Sequence, residues 1–100
     1  MIVAFSVSPS GGDPDGGVSE AVARAVRVVR DSGLPNSTNA MFTNVEGESW
    51  DEVMDVVKRA VDAAGEGAAR VSLVLKADIR PGYDNGQLEA KVERLEEHLR

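Results

Sequence analysis

The run Thr43-Asn44-Val45-Glu46-Gly47-Glu48 carries a hydroxyl, an amide and two carboxylates, and Ser49-Trp50-Asp51-Glu52 follows it directly. On a strand the side chains alternate, so Thr43, Val45 and Gly47 share one face while Asn44, Glu46 and Glu48 share the other. Such a row is either hydrated or aimed at a ligand. Two carboxylates on one face also have the makings of acid–base chemistry, with Glu46 as the base. Exposed strands show that spacing commonly, so it is a weak signal alone. Other chemistries find few groups. The single histidine, His98, stands beside the C-terminal residues, where it complements a helix dipole rather than completing a triad. Cysteine is absent, which removes thiolate nucleophiles, disulfides and thiolate-ligated metals. Asp13 and Asp15 lack the spacing of an EF-hand loop. Gly11-Gly12 and Gly16-Gly17 precede a helix and offer an anion cradle, but without a P-loop lysine or the Rossmann spacing. No catalytic residue and no metal site is expected.

The elements that must position this row follow from periodicity. Ile2 to Ser8 alternates as a strand, with Val3, Phe5 and Val7 on one face. Pro9 to Gly17 reads as a loop. Val18, Val22, Ala25, Val26 and Val29 fall at helical spacing from Val18 to Ser32, and Gly33 is a helix stop. Leu34 to Met41 and Phe42 to Glu48 read as two short strands joined by a tight turn. Ser49 and Glu52 form a capping box. It opens a helix to Ala64 whose buried stripe is expected to hold Trp50, Val53, Met54, Val57, Ala60 and Val61, with Gly65 ending it. Ala69 to Ile79 is the longest predicted strand. Leu88, Val92, Leu95 and Leu99 mark a last helix. The order β-α-β-β-α-β-α predicts an α+β fold. It is a ferredoxin-like βαββαβ sandwich with an antiparallel four-stranded sheet, both main helices on one face, and an extra C-terminal helix.

The chain has 100 residues, which sets the expectation of a single domain over 1–100. The apolar share is 42 % with few aromatic residues, so Val and Ala must build a thin core. A net charge of −6 argues against nucleic acid as partner. It suits solubility and permits a cationic small molecule. No run is long enough to span a membrane, and Ile2 to Val7 reads as a strand rather than a signal peptide. A cytoplasmic protein is the expectation. Two helices cover one sheet face only. The other face receives Ile2, Ala4, Ser6, Ser8, Ser72, Val74, Lys76 and Asp78, a mixture that invites a second copy of the chain. The C-terminal helix is either a further oligomer contact or folds back on its own domain.

Four stretches carry a family resemblance. They are Ile2-Val3-Ala4-Phe5-Ser6-Val7-Ser8-Pro9; the Gly33 stop after an amphipathic helix; Thr43 to Glu48 followed by Asp51-Glu52-Val53-Met54; and Arg70-Val71 leading to Lys76-Ala77-Asp78-Ile79-Arg80. Together they make the chain resemble the small thiamine-binding proteins, with departures at Met41-Phe42 and at Pro9-Ser10-Gly11-Gly12. The resemblance implies a ferredoxin-like homo-oligomer, dimer or tetramer. Such a protein binds thiamine or its hydroxymethylpyrimidine part as a ligand, without transforming it and with no required cofactor. An aminopyrimidine needs complementary donors and acceptors beside a flat apolar surface. Asn39, Thr43 and Asn44 donate and accept, Glu46 accepts when ionised, Ser8 adds a hydroxyl and Phe42 a ring face. These six are the expected ligand-binding residues, near the central hairpin and the first strand. A small-molecule enzyme using Glu46 and a ligand-free structural or regulatory subunit are the alternatives.

Overall fold

Val3, Phe5 and Val7 alternate with smaller residues, and this period of two makes the first strand of the computed structural model. The structure describes residues 1–11, 18–83 and 85–100. The elements are β1 (Ile2–Ser10), α1 (Val18–Asp31), β2 (Asn36–Thr38), β3 (Thr43–Glu46), α2 (Trp50–Ala64), β4 (Arg70–Asp78) and α3 (Gln87–Leu99). The sheet order is β2-β3-β1-β4 and every pairing is antiparallel. This is the predicted ferredoxin-like α+β arrangement with its extra helix.

β1 runs two residues further than expected, through Pro9 and Ser10, which pair with Val71 and Arg70. Pro9 is tolerated because β3 pairs only with Ile2–Phe5, so beyond Phe5 one edge of β1 has no ladder to serve. Asp13 and Asp15, which lack the spacing of a calcium loop, and the glycines Gly12, Gly16 and Gly17 lie outside the described residues.

α1 and α2 cover the face that carries Val3, Phe5, Val7 and Val45, and the core forms between them. Ala21, Ala25 and Val29 are the buried residues of α1, their small side chains letting it approach α2 closely. Val18, expected on the buried stripe, is 59 % exposed because it opens the helix at its outer end. Ser32 Oγ donates to Val29 O, the Leu34 N–H donates to Ser32 Oγ, and Gly33 takes φ +80°, ending α1 one residue early. α2 begins as predicted: the Glu52 N–H donates to Ser49 Oγ at 3.2 Å. The Glu52 carboxylate reaches back one residue beyond the cap, accepting from the Glu48 N–H at 3.1 Å. Trp50 was expected in the buried stripe and is instead 51 % exposed. The first turn of α2 is exposed throughout, and core contact starts at Val53.

β2 and β3 are shorter than predicted. At the turn side the Asn39 side chain is the cause: its Oδ1 accepts from the Met41 and Phe42 N–H groups at 2.8 and 3.0 Å. The Asn39 N–H donates to Phe42 O, so residues 39–42 belong to the turn rather than to either strand. α3 folds back over the other sheet face, the alternative weighed for it from sequence. It is held there by its first two turns and buries no residue fully.

Candidate functional site

The shortening of the hairpin makes a pocket. Thr38 and Thr43 pair across it on the helix-covered face, their hydroxyls 3.3 Å apart. Thr43 is buried, while Thr38 is exposed at the sheet edge. Phe5, Val22, Ala25 and Val26 supply apolar walls from β1 and α1, and Asn39, Met41 and Phe42 close the turn side. The cavity measures about 120 Å³. That is below the roughly 300–1,000 Å³ of sites that enclose a whole drug-sized ligand, so it has room for one ring. Two hydroxyls hold two donors and four lone pairs, and their mutual bond uses one of each. The pair therefore still offers a donor and acceptors side by side over an apolar, part-aromatic wall.

The six residues expected to share a site do not all meet. Asn39, Phe42 and Thr43 line this pocket together. Asn44 lies on the opposite sheet face, one residue along β3, where its Nδ2 donates to Ser37 Oγ at 3.3 Å. Ser8 is exposed and pairs with Ser72; it lies three residues past Phe5, the last β1 residue paired with β3, and on the face opposite Phe5. Both stand apart from the pocket because alternation along a strand, and distance along β1, separate what sequence proximity suggested. Thr38, Phe5 and Met41 were missed. The available signal was Asn39 itself: a side chain that readily accepts backbone N–H groups two residues on fixes the turn at 39–42 and puts Thr38 opposite Thr43.

Glu46 has other work. It is 1 % exposed, and its two carboxylate oxygens accept from the Gln87 N–H at 2.9 Å and the Leu88 N–H at 3.1 Å. Gly86 at the α3 N-cap has no side chain to offer, so a carboxylate from β3 caps the helix instead and complements its dipole. A sealed carboxylate committed to two backbone donors is poorly placed to receive a ligand or act as a base. Farther along α3, Lys91 forms an ion pair with Asp78 of β4. The hydrogen bond from Lys91, with its charge, holds the Asp78 carboxyl below its ordinary value of 3.8.

A cleft remains between α3 and the sheet, with Ile2, Ala4, Asn44, Lys76 and Asp78 as floor and Leu88, Lys91 and Val92 as roof. Its volume is about 610 Å³. On the other flank of α3, Glu89 and Glu93 face Pro35, Asn36 and Ser37. Among the described residues no group of His, Asp and Glu is placed to hold a metal ion. No described helix is long and apolar enough to cross a membrane.

Fold and pocket together define a ferredoxin-like domain with a small polar-lipped cavity at its central hairpin. The chain belongs to the thiamine-binding protein family, whose model matches residues 3–96. It is 54 % identical over 99 residues to a UPF0045 protein of Mycobacterium bovis, covering 99 % of this chain and 94 % of that one. A hypothetical protein from Methanocaldococcus jannascii superposes with a TM-score of 0.80 at 30 % identity, over 96 % of this chain and 95 % of that one. A protein from Thermotoga maritima described as a putative thiamine biosynthesis/salvage protein superposes with a TM-score of 0.68 at 26 % identity, over 94 % of this chain and all of the other.

Proposed function

We propose that this protein binds thiamine, or its hydroxymethylpyrimidine part, without transforming it, and that the aminopyrimidine ring enters the hairpin pocket. The observation that carries the reading is the Thr38–Thr43 hydroxyl pair set against Phe5, Phe42 and Val26. An aminopyrimidine places ring-nitrogen acceptors beside an exocyclic amine, and the pair presents a donor and acceptors at matching proximity. The pocket volume suits one ring and leaves the thiazolium part at the mouth, near Asn39 and Met41. Family membership supports thiamine as the ligand. Glu46, the base of the enzyme alternative, is engaged in capping α3, which favours binding over catalysis. The ligand needs no further cofactor in this reading. Of the six residues expected from sequence, Asn39, Phe42 and Thr43 contact it, while Asn44, Ser8 and Glu46 do not.

The protein acts in the cytoplasm as a homo-oligomer in this proposal. Val74 of β4 and Leu95 and Leu99 of α3 are 60 %, 59 % and 72 % exposed, an apolar surface that a second copy would cover. Calorimetric titration of the purified protein with thiamine and with hydroxymethylpyrimidine tests the binding claim. Heat of binding with both, at similar affinity, is expected. Silence with both at millimolar ligand, together with an unchanged melting temperature, would end it.

A further inference from the structure

Across the open face of the sheet four residues stand in one register row: Ser37 of β2, Asn44 of β3, Ala4 of β1 and Lys76 of β4. Neighbouring strands lie about 4.8 Å apart, so Asn44 and Lys76 flank Ala4 with roughly 10 Å between their backbones. The methyl group of Ala4 cannot fill that gap. The result is a hollow with an amide on one side and an ammonium on the other. α3 roofs it with Leu88 and Val92, and Lys91 projects from the same flank.

Charge is sorted around this roof. Lys76, Lys91 and Asp78 line the hollow, two cations to one anion, while Glu89, Glu93 and Glu46 line the opposite flank of α3. Asp78 is paired with Lys91, and Lys76 makes no salt bridge among the described residues. One N–H of the Asn44 amide goes to Ser37, which leaves its second N–H as a donor. The cleft volume of about 610 Å³ falls within the range of small-molecule sites. A net acidic chain has thus gathered two ammonium groups and a free amide donor over a small apolar floor.

We infer that this hollow is a second binding site, separate from the hairpin pocket, for a small aromatic oxyanion. The oxyanion sits between Lys76 and Asn44, and the flat body lies over Ala4 and Ile2 beneath Leu88 and Val92. Carboxylates and phosphate monoesters share this chemistry. The inference does not depend on thiamine binding: Asn39 of the turn borders both cavities, but Asn44 and Lys76 lie on the sheet face opposite the Thr38–Thr43 pair.

Benzoate and phenyl phosphate serve as probes, and benzyl alcohol as the uncharged control, each titrated into isotope-labelled protein and followed by amide chemical shifts. At least one oxyanion is expected to shift Ala4, Asn44, Lys76 and the first turns of α3 at millimolar concentration, with benzyl alcohol inert. Lys76→Met should weaken binding about tenfold or more, the scale of one lost charge-assisted hydrogen bond. Ala4→Phe, which fills the hollow, should abolish it, and Thr43→Val should leave it unchanged. If Ala4→Phe fails to fold, the Lys76→Met titration decides. Neither oxyanion shifting these residues, equal response to the uncharged control, or full binding by Lys76→Met would each overturn the inference.

Discussion

Thr43 and Glu46 stand three positions apart on one short strand and do unrelated work. Thr43 faces the helices and meets Thr38; Glu46 faces the other way and caps α3. Replacing Thr43 by Val keeps the shape and removes the hydroxyl. Thiamine affinity should fall about tenfold, the scale of one hydrogen bond in a dry site. The melting temperature should hold, since the exposed Thr38 can turn to water. Unaltered affinity in that calorimetric titration would place the ligand elsewhere. Glu46→Ala has the opposite signature. It strands the Gln87 and Leu88 N–H groups and should cost α3 docking about 1.5–3 kcal/mol, the range for hydrogen bonds to a charged group. Hydrogen exchange would show this as lost protection from Gln87 to Leu99 with the sheet intact; retained protection in α3 would refute the cap. At this scale the sequence announced that the row was polar. It could not announce which member would be consumed by a helix 41 positions away.

Among the elements, the α2 start and the α3 attachment make the clearest contrast. The capping box of Ser49 and Glu52 was legible because every partner lies within one turn. At Gly47 the constraint is space. A Cβ there would stand 2.5 Å from Val53 Cγ2 and 2.7 Å from Glu52 Oε1. Gly47→Ala should therefore lower stability by about 1–3 kcal/mol in a urea melt, and a variant as stable as the parent would contradict that crowding. α3 hangs on Glu46 and on the Asp78–Lys91 pair. Because Asp78 titrates below its ordinary 3.8 when folded, the contribution of that pair is whole above the ordinary aspartate range. It fades as pH falls through the lowered folded value. Amide shifts of α3 should move in that acid window, and Lys91→Ala should bring Asp78 back toward its ordinary titration. The hairpin was harder to read. Its turn was expected near Met41-Phe42, and the Asn39 side chain moved it to 39–42.

For the whole molecule, two faces of one sheet carry two kinds of surface. The helix-covered face holds a dry core of Val3, Phe5, Val45, Val53 and Val57, whereas the open face holds α3 at arm's length with Leu95 and Leu99 uncovered. If a second copy covers them, replacing both by Ser should lower the sedimenting mass while far-ultraviolet dichroism stays constant. An unchanged assembly would move the interface elsewhere. The β-α-β-β-α-β-α order, the helix stop at Gly33 and the alternation of β1 were all determined by the sequence alone. They rest on periods of 2 and 3.6 and on contacts a few residues apart. Tertiary structure decided the rest. It split the expected site between two sheet faces, left Trp50 in solvent, made Glu46 a cap and brought Thr38 to Thr43. The physical reason is that alternation sends neighbouring side chains to opposite faces, and only the packed layers settle what each face then meets.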